Sequence, residues 1–196
     1  MLQTKDYRII LGSKSPRRRE LLTHLVPDFD IRTKEIEELY PETLPAEEVP
    51  EYLAKLKASA FIDNLDEKEV LITSDTIVSL EGRIYEKPKD EGDAIRILGE
   101  LSGKTHEVIT GVCLQNKSSQ RSFCVHTKVR FKPLSKDEII YYIQTFKPYD
   151  KAGAYAIQEW MGMIGIESIE GDYFNVVGLP LFRLNQELNA FIKTLD

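Results

Sequence analysis

The chain has 196 residues, 42% of them hydrophobic, 30% charged and 9% aromatic, with a formal net charge of −6. That composition excludes a collagen, a low-complexity disordered chain and a disulfide scaffold, and this length predicts one domain burying roughly 70% of its unfolded surface. The acidic balance gives no support to a nucleic-acid partner, and no apolar run approaches the ~20 residues that cross a bilayer.

In chain order, the polar start Met1 to Tyr7 lacks the apolar stretch of a signal peptide, and the two cysteines are then expected as reduced thiols in a cytoplasm. Arg8 to Leu11 reads as a buried strand ending at Gly12. Ser13-Lys14-Ser15-Pro16 opens a helix, with Ser15 as N-cap and Pro16 at the first helical position, where its missing N–H costs nothing. Phe29 to Thr33 alternates as a second strand and runs into acidic Glu35, Glu37 and Glu38, then a loop punctuated by Pro41, Pro45 and Pro50. Apolar spacing predicts a helix over 49–65, and β-branched Val70 to Leu80 predicts a strand that turns at Glu81-Gly82 into Arg83 to Tyr85.

Asp90 to Leu101 is an amphipathic helix stopped at Gly103. A long hairpin follows. A turn at Lys117 to Gln120 pairs Val112 with Val125 and Leu114 with Phe123, keeps one apolar set on one face, and sets Cys113 opposite Cys124. Ser135 with Glu138 makes a capping box for a helix over 135–145. Asp150 to Gln158 reads as a loop entering a strand, Met161 to Ile169 as a further strand, and Leu181 to Leu195 as the closing helix. Strands that both alternate with helices and pair in hairpins predict an α/β layered fold with a mixed central sheet flanked by helices, as one domain over residues 1–196.

Several places can carry chemistry. Ser13, Ser15, Arg17 and Arg18 lie between a strand and a helix N-terminus, where backbone N–H groups and the helix dipole suit a polyphosphate; a capped helix with solvated basic residues explains the same pattern. Neither GxxxxGK[ST] nor GxGxxG is present. Asp75, in Ser74-Asp75-Thr76, breaks the pattern of its own strand: a carboxylate among Leu, Ile and Val is costly unless paired, hydrogen-bonded or bound to a cation. With Asp75, one of Glu35, Glu37 or Glu38 would complete a Mg²⁺ site, since that ion takes one or two carboxylates plus substrate phosphates and water. Lys57 and Lys87 are unremarkable by themselves. Gln158 can both donate to and accept from a base edge. His24, His106 and His126 are scattered, with no HExxH, CxxC or GxSxG.

Taken together, Ser13-Lys14-Ser15-Pro16-Arg17-Arg18, Ser74-Asp75-Thr76, Glu86-Lys87-Pro88, Leu101 to His106, Asp150 to Tyr155 and Val177-Gly178-Leu179-Pro180 resemble the Maf family of nucleoside triphosphate pyrophosphatases from Tyr7 to about Phe191. The resemblance implies an inosine-triphosphatase-like domain with a cleft. It makes Asp75 the catalytic carboxylate that takes a proton from water, places Glu38, Lys57 and Lys87 at further active-site positions, and puts Ser13 and Arg18 in the substrate loop. Arg17, Thr76 and Gln158 match positions that set base choice, and their identities are similar to the dTTP/UTP branch. A Mg²⁺ or Mn²⁺ ion held by Asp75 and Glu38, and a homodimer, are further implications. Ser74 stands where the family more often has Ala, and Glu159 where Gly is common. The rival expectation is a non-catalytic nucleotide-binding regulator linked to septum formation.

Overall fold

In the computed structural model, which describes residues 6–195, β1 (Arg8–Leu11) lies between β2 (Asp30–Ile31) and β3 (Glu69–Leu80) and runs parallel to both. The polar segment at 1–5 falls outside the described residues. β4 (Arg83–Tyr85) turns back antiparallel on β3, and β5 (Thr105–Gln115), β6 (Gln120–Phe131) and β7 (Ile166–Glu170) complete a seven-stranded sheet ordered β2-β1-β3-β5-β6-β7, with β4 off that path. β7 is antiparallel to β6. The sheet is mixed, as predicted, because the chain both crosses over through helices and doubles back through hairpins.

The helices are α1 (Pro16–Leu25), α2 (Val49–Ser59), α3 (Glu91–Leu101), α4 (Lys136–Phe146), α5 (Trp160–Gly165), α6 (Tyr173–Val177) and α7 (Leu181–Leu195). Their starts follow local chemistry. Ser15 Oγ accepts from the Arg18 N–H, Asp90 accepts from the Asp93 N–H, and Ser135 with Glu138 forms the expected reciprocal box. None is long and apolar enough to cross a membrane among the described residues.

The described residues group into two compact units. One holds the chain up to Asp75, 110–125 and the segment from Gly178 onward; the other holds 76–109 and 126–177. In the first, Ile10 and Leu71 pack with Ala54, Ala58, Phe61, Leu65 and Cys113. The small Ala54 and Ala58 faces let α2 approach closely: a Cβ on Gly111 would sit 2.2 Å from the Pro50 carbonyl carbon. In the second, Val78, Ile97, Leu98, Leu101, Val129, Phe131, Tyr142 and Ile143 form the core.

Five local expectations are corrected. The second strand is two residues, not Phe29 to Thr33, and the helix over 49–65 stops at Ser59, with a single 3-10 turn at Ile62–Asn64. Asp150 to Gln158 holds a 3-10 turn at Ala152–Ala154 rather than the start of a strand. Met161 to Ile169 is not one strand: α5 ends at Gly165 and β7 begins at Ile166. A short apolar run carries no helix-or-strand preference by periodicity, and burial at Met161 and Gly165 has helical spacing. The hairpin turn lies one residue earlier, closed by the Asn116 N–H on the Ser119 carbonyl. Moving a turn by one residue moves each opposite partner by two and leaves the faces unchanged, so the apolar pattern does not distinguish the two registers. Cys113 and Cys124 are free thiols, and burial pushes both up to about 12.

Candidate active site

β3 brings Thr73 and Asp75 out on one face, two residues apart. Thr73 Oγ1 donates to the Ala54 carbonyl of α2 at 2.7 Å, and one helical turn further along α2 the Lys57 Nζ meets Asp75 Oδ1 at 2.6 Å. Strand and helix are thus tied at successive steps. The same Nζ lies 3.0 Å from Glu38 Oε1. Two carboxylates therefore converge on one ammonium. Side-chain exposure is 15% at Lys57 and 12% at Asp75, so the ammonium makes a buried carboxylate affordable, while Glu38 at 45% faces water.

The loop after β1 lies in the same unit. The Ser15 N–H donates to Ser13 Oγ at 3.2 Å, and Ser15 Oγ caps α1. Arg18, in the first turn of α1, donates from Nη1 to the Ser74 carbonyl at 2.7 Å and from Nε to the Gly178 carbonyl at 3.0 Å. Burial lowers its pKa; Asp75 opposes this, Arg17 adds to it, and Glu38 opposes it more weakly. A guanidinium stays charged under such a shift. Lys14 Nζ pairs with Glu35 Oε1 at 3.0 Å, so the acidic segment touches both the loop and α2.

The family model for Maf-like protein matches residues 8–191. The chain belongs to that family. A dTTP/UTP pyrophosphatase of Phocaeicola vulgatus is 54% identical over 185 residues, covering 94% of this chain and 96% of the relative. Proteins of that name from Flavobacterium psychrophilum and Bacteroides fragilis are 53% and 50% identical, the first covering 92% of this chain and 93% of itself, the second 96% and 98%. The Staphylococcus aureus Ham1 protein has the same fold, with a TM-score of 0.54 at 15% identity over 96% of this chain and 100% of that one.

In this Maf-like chain the first unit brings together Asp75, Lys57, Glu38 and Arg18, with Ser13 and Ser15 in the adjoining loop and Arg17 in the first turn of α1. Thr76, Lys87 and Gln158 belong to the second unit. There the Glu86 carbonyl accepts the Gly153 N–H at 3.3 Å, and Gly153 lies so close to Val78 that a Cβ would fall 2.7 Å from its Cγ2. Lys87 thus neighbours the Asp150 to Gln158 segment on the β3 half that starts at Thr76. Lys87 and Gln158 are exposed, Thr76 half-buried.

The donor set bears on a metal. Among the described residues no group of three or more His, Cys, Asp or Glu side chains could hold an ion. Asp75 and Glu38, reaching one shared cation position, fit an ion of the Mg²⁺ type that draws its other ligands from substrate phosphate and water. Sequence reasoning missed Thr73, which registers α2 on β3, and Gly111, where a glycine within a strand marks close backbone approach. It also gave no role to Gly178, whose carbonyl holds Arg18. His106 shares a 2.8 Å hydrogen bond with the Tyr155 hydroxyl.

Proposed function

We propose that this chain is a nucleoside triphosphate pyrophosphatase that converts dTTP and UTP to the monophosphate and pyrophosphate. What carries the reading is the ammonium of Lys57 shared by Asp75 and Glu38 beside the Arg18 guanidinium, in a chain about half identical to named dTTP/UTP pyrophosphatases along nearly its whole length. Ser13, Ser15 and Arg18 take the phosphates through hydroxyls, the α1 N-terminus and a fixed positive charge. Arg17, Thr76 and Gln158 choose the base, and Lys57 and Lys87 neutralise the developing charge on the leaving pyrophosphate.

Asp75 accepts the proton of the attacking water on a carboxylate whose Oδ1 is already oriented by Lys57. The water oxygen bonds to the α-phosphorus, the bond to the bridging oxygen breaks, and pyrophosphate departs with that electron pair. Asp75 and Glu38 are the residues that would hold a divalent ion. When bound, such an ion supplies charge neutralisation on the phosphate oxygens and lowers the pKa of bound water. A positioned base contributes roughly 10²–10⁴-fold.

The test is pyrophosphate release from dTTP, UTP, CTP and GTP with and without Mg²⁺, for the wild type and Asp75→Asn. Release from dTTP and UTP that is lost on chelation and in the variant is expected. Nucleotide binding without release would leave the regulator, which no feature of the chain or its relatives favours.

A further inference from the structure

Gln158 is exposed, yet the residues on both sides of it are held. Before it, α5 packs back on the chain so closely that a Cβ on Gly162 would lie 1.8 Å from the Ile157 carbonyl oxygen. After it, the Glu159 carboxylate accepts from the Tyr142 hydroxyl on Oε2 at 2.6 Å and pairs through Oε1 with Lys151 Nζ at 3.3 Å. Tyr142 is fully buried in α4, and its oxygen accepts the Ala156 N–H at 3.1 Å. Lys151, 8% exposed, also pairs with Asp150 at 2.7 Å. Both ends of the 151–159 segment and its middle are therefore tied to one carboxylate and one hydroxyl.

Glu159 occupies the N-cap position of α5, but its side chain makes no capping bond to that helix. The carboxylate is directed to Tyr142 and Lys151 instead. Burying a lysine and pairing it this way gains little stability over apolar packing, whereas it fixes geometry. Burial, and then Glu159, raise the Tyr142 pKa, so the phenol remains a donor at any working pH.

We propose that Glu159, held by Tyr142 and Lys151, is a positioning residue that fixes Gln158 for the imide edge of a uracil or thymine base. This rests on the reading of Gln158 given above. A carboxamide pairs with the N3–H and O4 of an imide, and after rotation it pairs equally with the N4 amine and N3 of cytosine. Discrimination then depends on where the carboxamide is held, and a pre-fixed side chain binds without having to be ordered first.

The experiment measures kcat and KM for dTTP, UTP and CTP in the wild type, Gln158→Ala, Glu159→Gln, Tyr142→Phe and the double variant Gln158→Ala/Glu159→Gln, with melting curves to confirm folding. Glu159→Gln and Tyr142→Phe are expected to raise KM for dTTP and UTP about three- to tenfold, leave kcat within about twofold, and weaken the preference over CTP. The double variant is expected to match Gln158→Ala, because Glu159 acts through that side chain. Additive losses in the double variant, or wild-type KM and selectivity in both single variants at 159 and 142, overturn the proposal. Wild-type selectivity in Gln158→Ala overturns the base-reading role of Gln158 itself, and the positioning role with it.

Discussion

Replacing Gly111 by alanine is expected to disturb the active site without altering any residue in it. Gly111 has no positive φ, so an alanine backbone suits the position, and the effect is steric alone. The added Cβ would lie 2.2 Å from the Pro50 carbonyl carbon, 2.3 Å from the Glu51 nitrogen and 2.4 Å from the Pro50 oxygen, where ordinary contact begins at 3.4 Å. All three atoms are backbone in the first turn of α2, so relief needs that helix to withdraw by about 1 Å rather than a rotamer change. Overpacking a dense interior costs about 1–3 kcal/mol, and a clash with helix backbone belongs at the upper end. At roughly 2–4 °C per kcal/mol for a chain of this size, Gly111→Ala should melt about 6–12 °C lower. Because α2 carries Lys57, and misplacement on the order of 1 Å costs up to about 10²-fold in rate, turnover should fall as well. Gly99 is the internal control: it lies inside α3 with nothing within 4 Å of its added Cβ, so Gly99→Ala should raise stability by about 0.5–1 kcal/mol. Differential scanning calorimetry and steady-state pyrophosphate release read both. A Gly111→Ala protein with wild-type melting and turnover would refute the close approach and its link to Lys57.

Lys57→Met leaves Asp75 and Glu38 without their shared cation, and turnover is expected to drop by about 10²-fold or more. The same change should cost roughly 1–3 kcal/mol in urea denaturation, less than a fully unpaired buried charge because Arg18 lies nearby, and adding Asp75→Asn should recover part of it. No recovery in the double variant would mean the carboxylate does not depend on that ammonium. Burial lowers the His106 pKa from 6.5 to about 4. The unfolded chain then binds more protons within that window, so stability should fall as pH drops from 6.5 towards 4, by about 3 kcal/mol, and level off below. Melting temperature against pH for the wild type and His106→Gln tests this, and parallel curves would exclude the histidine as the cause.

Asp75 was legible because it violates its own surroundings: a carboxylate in the middle of a β-branched strand demands a counter-charge, and the pattern says so before any partner is known. The helix starts at Ser15, Asp90 and Ser135 were legible for a local reason, since a cap and its N–H lie within three residues of each other. Lys57 was different. Nothing in its neighbours along the chain separates it from any solvated lysine, and its resemblance to a family position supplied the only signal. Its role comes from the Thr73 to Ala54 bond and the small α2 face that set the helix against β3.

The same division runs through the second unit. Apolar runs at Met161 to Ile169 could serve helix or strand, and close packing of Gly162 on Ile157 decided for helix. Sequence by itself determined the mixed α/β order, the family, the caps and a mid-strand carboxylate that needs a partner, because each depends on residue type and short spacing. Tertiary structure alone decided which cation Asp75 meets, which carbonyls hold Arg18, and what Glu159 does, because those contacts join residues 8 to 160 positions apart that no residue-type pattern links.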